Sequence, residues 1–247
     1  MVTARISAAL EGLDGPQRDE LNLAECVVLM SASAFFTGLS PQECEEIASS
    51  ARARTFARSE LLFAQGQPIR NLVLIQTGSV KLFQSADGDQ VILWMNGSGD
   101  TVCMPAESSD CSYTCSARAM EKCRTLIWEY DSLQTLLVEY PQIRKNISQI
   151  LSSRLNELEE RFREVATARV AKRVALTLMR LLKQVGKMSE GGIEVLLSRE
   201  ELAQMTGTTL FTVSRILSKW KDAGFVEPRR EAVVVLDQRR LMEEADG

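Results

Sequence analysis

Cys103, Cys111, Cys115 and Cys123 fall inside one 21-residue stretch of a chain that contains no histidine. Thiols at this density can ligate a soft metal or an iron–sulfur cluster, oxidise to a disulfide, or fill a core. Because imidazole is absent, a haem here would need a thiolate or thioether as its axial ligand, such as Cys103 or Met104. Cys111 and Cys115, four residues apart, can pair under oxidation if their loop permits it. Cys26 and Cys44 stand apart from this group and read as buried structural residues.

The elements around the thiols are short. From about Thr55 to Tyr130, runs such as Leu72–Ile75, Val80–Phe83 and Val91–Trp94 have strand length and β-propensity. Gly66, Gly78, Gly88, Gly97 and Gly99 punctuate them, and "ADGD" at 86–89 is a hairpin signal. Evenly spaced short strands predict an antiparallel β-roll or barrel, so the cysteines belong to the connections and strands of such a roll. Upstream, Ser40 and Pro41 open a short helix.

After Pro141 the period changes. Ile147, Leu151, Leu155, Leu158, Phe162 and Val165 recur at steps of 4, 4, 3, 4 and 3, drawing one apolar stripe along a helix about 37 Å long at ~1.5 Å per residue. Such a stripe can pack on its own domain. Its length and the charged opposite face ("SRLNELEERFRE") predict instead a partner helix, most simply the same helix of a second copy.

The last 80 residues read as helix, helix, turn, helix and two strands. Ser198 and Glu201 have capping-box spacing, Gly207 marks a turn, and Val213, Ile216, Leu217 and Trp220 give the following helix a buried side. Thr208, Thr209, Phe211, Thr212, Ser214, Arg215 and Lys219 remain on or beside its outer face. Hydroxyls there suit phosphate, arginine suits guanine O6 and N7, and a ring suits a thymine methyl.

Charge agrees in sign: residues 1–166 carry 15 Lys/Arg against 22 Asp/Glu, while 167–247 carry 14 against 11. The first twenty residues contain neither a secretory apolar core nor a membrane span, so a cytoplasmic, reducing compartment is expected. Histidine, a phosphate-loop lysine motif and a Gly-x-Ser-x-Gly elbow are all missing, which argues against an enzyme.

The segment "TGTTLFTVSRILSKWKDAGFVE", the glycine-punctuated roll and the striped helix together resemble the CRP/FNR family of bacterial transcription regulators. The resemblance implies an α+β fold with four parts: an N-terminal extension (1–30), an antiparallel, jelly-roll-like β-roll sensor (31–138), a dimerisation helix (139–166) and a winged helix-turn-helix (167–247). It also implies as partners double-stranded DNA with a palindromic operator, a second copy of the chain and RNA polymerase, and no membrane. Arg215 matches the family's base-reading arginine, with Ser214 and Thr212 as its neighbours, and Arg199 matches a phosphate contact. Phe211 stands where many members carry a glutamate that pairs with cytosine, so half-site preference should differ.

In cyclic-nucleotide-binding relatives the roll carries a phosphate cassette ending in Arg-Ser or Arg-Thr. Here Tyr113 and Thr114 occupy that place and Arg118 is out of register, which argues against cAMP as effector. Cys123 matches an internal cluster ligand of the oxygen-sensing branch, but that branch's N-terminal cysteine group is reduced to Cys26 and Cys44. Iron–sulfur cluster, haem, thiol redox chemistry and structural cysteines therefore all stay open. So does a regulator responding to a non-cyclic-nucleotide small molecule, or a regulatory binding module without DNA.

Overall fold

In the computed structural model the described residues are 22–86, 89–102 and 111–246. Helices α1 (Leu23–Ala32) and α2 (Pro41–Ser49) precede seven strands: β1 (Arg52–Phe56), β2 (Leu61–Phe63), β3 (Asn71–Thr77), β4 (Val80–Ala86), β5 (Asp89–Asn96), β6 (Ser116–Ala119) and β7 (Cys123–Glu129). These form two antiparallel sheets, β1-β7-β3 and β2-β6-β4-β5, with Ala86 opposite Asp89 where the hairpin signal stands.

Side-chain alternation decides what each sheet faces. Val73 and Ile75 of β3 and Cys123 and Ile127 of β7 meet Phe56, Phe63, Val80 and Leu82 between the sheets. Their neighbours Leu72, Leu74, Leu126 and Trp128 meet Cys26, Met30, Phe35, Phe36 and Ile47 of the helical layer. Strands covered on both faces must read as continuous apolar runs, and "LVLI" and "TLIW" do. The Trp128 indole donates to the Ile47 carbonyl at 2.9 Å, so its one polar atom is satisfied inside this layer.

Ser40 caps α2 with a full capping box through Glu43, and Pro41 takes the first turn, as expected. Helix α1 corrects the expected 30/31 boundary: Asn22 caps it, it runs across that boundary, and its Cys26 and Met30 are core residues of the roll's helical layer.

After α3 (Tyr130–Glu139), helix α4 spans Pro141–Thr167. It is anchored at its start by Asn146, whose buried amide donates to the carbonyls of Phe35 and Thr37 at 2.9 and 2.8 Å. Further along, the guanidiniums of Arg154 and Arg161, two turns apart, both lie over the Trp94 ring of β5.

The C-terminal part comprises α5 (Val170–Gln184), the hairpin β8 (Lys187–Ser189) and β9 (Gly192–Val195), α6 (Arg199–Thr206), α7 (Leu210–Asp222), β10 (Val226–Pro228), β11 (Val233–Val235) and α8 (Gln238–Asp246). The sheet order is β10-β11-β9-β8, so the wing strands join a hairpin that periodicity did not reveal. No helix among the described residues is long and apolar enough to cross a membrane.

Candidate nucleic-acid interface

Three local devices set the geometry of α6 and α7. Ser198 accepts from the Glu201 amide at 3.1 Å while the Glu201 carboxylate accepts from the Ser198 amide at 2.7 Å, closing a capping box. Gly207 then adopts φ 57, ψ 49, a left-handed conformation that lets α6 stop and the chain turn. Thr209 caps α7, its hydroxyl oxygen accepting from the Thr212 amide at 3.2 Å.

A fourth device was not legible in the sequence. The Arg173 guanidinium of α5 donates to the carbonyls of Thr206, Gly207 and Ala168 at 3.0, 3.3 and 3.0 Å. It thereby satisfies the carbonyl end of α6 and ties the turn to α5. The three-carbonyl contact depends on tertiary structure placing a multi-donor cation against a helix C-terminus.

The buried side of α7 is Val213, Leu217 and Trp220, with Ile216 half-buried against the same core. On the outer side Phe211 is 76% exposed, Arg215 and Lys219 are exposed, and Thr208, Thr212 and Ser214 are half-buried. The expected reading residues therefore share one solvent face, at the spacing 211, 215 and 219 that one helix face requires. Thr209 differs in part from its expected place, because its oxygen is used as the cap. Arg199 is half-buried, with its Nε enclosed and without a hydrogen-bond partner among the described residues.

The striped face of α4 divides. Ile147 packs on the roll's own helical core. Leu151, Leu155, Leu158, Phe162 and Val165 are 49, 56, 49, 75 and 52% exposed. In a single chain this leaves an apolar stripe about four turns long facing water.

Among the described residues the thiols form no group of three. Cys103 and Met104 lie outside the described residues. Cys111 is exposed, and Cys115 is half-buried against the roll's interior, where burial pushes its thiol pKa up. Of the two readings of Cys123, ligand or core strand residue, the structure places it in the core. Its Sγ donates to the Ser79 and Glu121 carbonyls at 3.2 and 3.3 Å, and burial raises its pKa. Among the described residues no three Cys, Asp or Glu side chains form a set that could hold a metal ion. A cluster drawing on Cys111, Cys115 and Cys123 together thus has no fit here. Tyr113, expected at the cassette position, is 7% exposed and stacks on Phe63 within the roll.

Residues 172–244 match the Crp-like helix-turn-helix domain, and residues 53–140 match the cyclic nucleotide-binding domain. Over 220 residues, 88% of this chain and 98% of the relative, the sequence is 25% identical to a CRP-like cAMP-activated global transcriptional regulator of Mycobacterium tuberculosis. It is 23% identical, over 79% of this chain and 81% of the relative, to the transcriptional activator protein anr of Pseudomonas aeruginosa. Among solved structures, the c-di-GMP responsive global regulator CLP of Xanthomonas campestris aligns with a TM-score of 0.68 at 26% identity. That alignment covers 80% of this chain and 100% of CLP.

Proposed function

The chain belongs to the CRP/FNR family of DNA-binding transcription regulators, and from that premise we propose that it acts as a homodimer on a palindromic operator in response to a redox signal. The observation that carries the DNA reading is the outer face of α7, where Phe211, Arg215 and Lys219 stand exposed on a helix fixed by Ser198, Gly207 and Thr209. Arg215 reads guanine, Phe211 contacts a thymine methyl in place of a glutamate–cytosine pair, and Lys219 adds charge against the backbone. Two such helices reach two half-sites only when two chains pair, and the exposed stripe Leu151, Leu155, Leu158, Phe162 and Val165 is the surface that a second α4 covers.

The signal enters through the segment that carries Cys103, Cys111 and Cys115. With Tyr113 stacked on Phe63 where the resemblance puts the cassette's arginine, that position offers no guanidinium to a cyclic phosphate, which supports a signal other than cAMP. Among the described residues Cys111 is the exposed thiol, and so the one that an oxidant meets first. The Cys111 thiolate attacks hydrogen peroxide, its sulfur losing two electrons as the O–O bond breaks, which gives a sulfenic acid and hydroxide. The Cys115 thiolate then displaces hydroxide to form a disulfide.

The test is selection of duplexes from a randomised pool at defined salt, with and without thiol oxidant. Enrichment of an inverted repeat, with occupancy that changes on oxidation, is the expected result. A pool without sequence preference overturns the operator reading, and oxidation without effect overturns the thiol reading.

A further inference from the structure

We infer that the first turn of α7 reads the C5-methyl group of pyrimidines through Leu210 together with Phe211, so that each half-site carries two neighbouring methylated pyrimidines and 5-methylcytosine is preferred there to cytosine. The inference rests on the DNA-binding reading above and adds to it Leu210 and the chemical group that is recognised.

Leu210 is the first residue of α7 and Phe211 the second. Their side chains are 50 and 76% exposed, whereas Val213, Leu217 and Trp220 of the same helix are enclosed in the core. The N-terminal residues of such a helix are the ones that meet base edges in a major groove. Two large apolar side chains left in water at that end form a contact surface, because folding gains nothing from them there.

The polar groups beside them decide what this surface recognises. The first turn of α7 contains no acidic residue, so it offers no carboxylate to cytosine N4. Its two hydroxyls are engaged with each other: Thr209 Oγ accepts from the Thr212 amide at 3.2 Å and stands 3.0 Å from Thr212 Oγ. Leucine and phenylalanine make no hydrogen bonds. Of the features that the four bases present in the major groove, they match the thymine methyl. Cytosine methylated at C5 carries the same group at the same ring position.

Helix geometry sets the number of methyls. Consecutive side chains on a helix fan apart by about 100°, so Leu210 and Phe211 face different bases. With base steps of roughly 3.4 Å, the pair spans neighbouring positions. Arg215 lies one turn beyond Phe211 on the same exposed face, so the methylated pair adjoins the guanine that this arginine reads.

The experiment uses the full-length reduced protein and a duplex that it selects from a randomised pool. Each thymine of one half-site, on either strand, is replaced in turn by deoxyuridine, which removes the methyl and keeps every hydrogen-bonding group. Affinity should fall on the order of fourfold at each of two adjacent positions, the effect of one buried apolar carbon. With cytosine placed at those positions, 5-methylation should raise affinity by about the same factor. Leu210→Ala should abolish the deoxyuridine effect at one of the two positions and Phe211→Ala at the other. Both variants should keep the wild-type urea midpoint, since the side chains they shorten are exposed. Deoxyuridine without effect at every position overturns the methyl reading. An effect that survives in both alanine variants belongs to the shape of the duplex and overturns it as well. An effect lost in Phe211→Ala alone overturns the share of Leu210. Failure to select any duplex sinks the DNA-binding reading, and this inference with it.

Discussion

The ring of Tyr113 lies flat on the ring of Phe63, their centroids 3.8 Å apart and their planes 8° from parallel. The resemblance of the sequence to cyclic-nucleotide-binding relatives puts Tyr113 where their phosphate cassette has its arginine, and a buried, stacked phenol cannot serve there as a cation. Titration calorimetry with cAMP should therefore show no binding heat, and a saturable heat would contradict the assignment. Tyr113→Ala should lower unfolding stability by about 3 kcal/mol, the usual cost of emptying an aromatic site, as measured by urea denaturation.

Arg215→Ala should leave stability within about 0.5 kcal/mol, because the side chain is exposed. Affinity for a selected duplex should fall by about 1–3 kcal/mol, with discrimination lost at one guanine. A mobility-shift series over all four bases at each position would reveal this, and an unchanged preference would remove Arg215 from base reading.

Phe162→Glu and Leu155→Glu place charges in the exposed stripe of α4. Sedimentation of the wild type should show a dimer and that of either variant a monomer, with helical circular dichroism preserved. A variant that stays dimeric would mean that another surface joins the subunits.

Gly207→Ala tests the turn of the DNA-binding motif by backbone strain alone. A Cβ at this glycine would meet only Val165 Cγ1, at 4.0 Å, so the cost comes from its positive φ and should be about 1–2 kcal/mol by chemical denaturation. A neutral result would show that the turn relaxes.

Burial pushes the Glu201 carboxyl pKa up, but the Lys81 ammonium and the Ser198 hydrogen bonds outweigh it and hold the pKa below its ordinary value. A group with a depressed folded pKa contributes stability that is fully present above its unfolded pKa, about 4.3 for glutamate, and lost as pH falls through the folded value. Domain docking should therefore be pH-independent near neutrality and weaken below about pH 4. Hydrogen exchange at residues 199–204 should accelerate there, and Glu201→Gln should lose that acid step.

Much of this protein was legible in its sequence, because local physics fixes it. Ser40 with Glu43 and Ser198 with Glu201 declare helix starts through contacts three residues apart. The inner face of α7 follows from the 3.6-residue period of Val213, Leu217 and Trp220, and the outward placement of Arg215 follows with it. Strand β3 announced itself as the apolar run Leu72–Ile75 because both its faces are covered.

Other features depend on groups far apart in the chain, which no period or spacing records. Helix α1 has a weak amphipathic pattern and is defined as core only by the sheet beneath it. Four clustered cysteines suggested a shared ligand, yet the strand register turns Cys123 into the roll's interior toward two carbonyls, away from any group of three ligands. Arg173 reaches the end of α6 across 33 residues, and Lys81 meets Glu201 across 120. Sequence alone determined most of the elements and the outward face of α7. Only the tertiary structure decided which charges pair, which thiols are enclosed, and where the roll touches the C-terminal part, because these depend on groups brought together from distant parts of the chain.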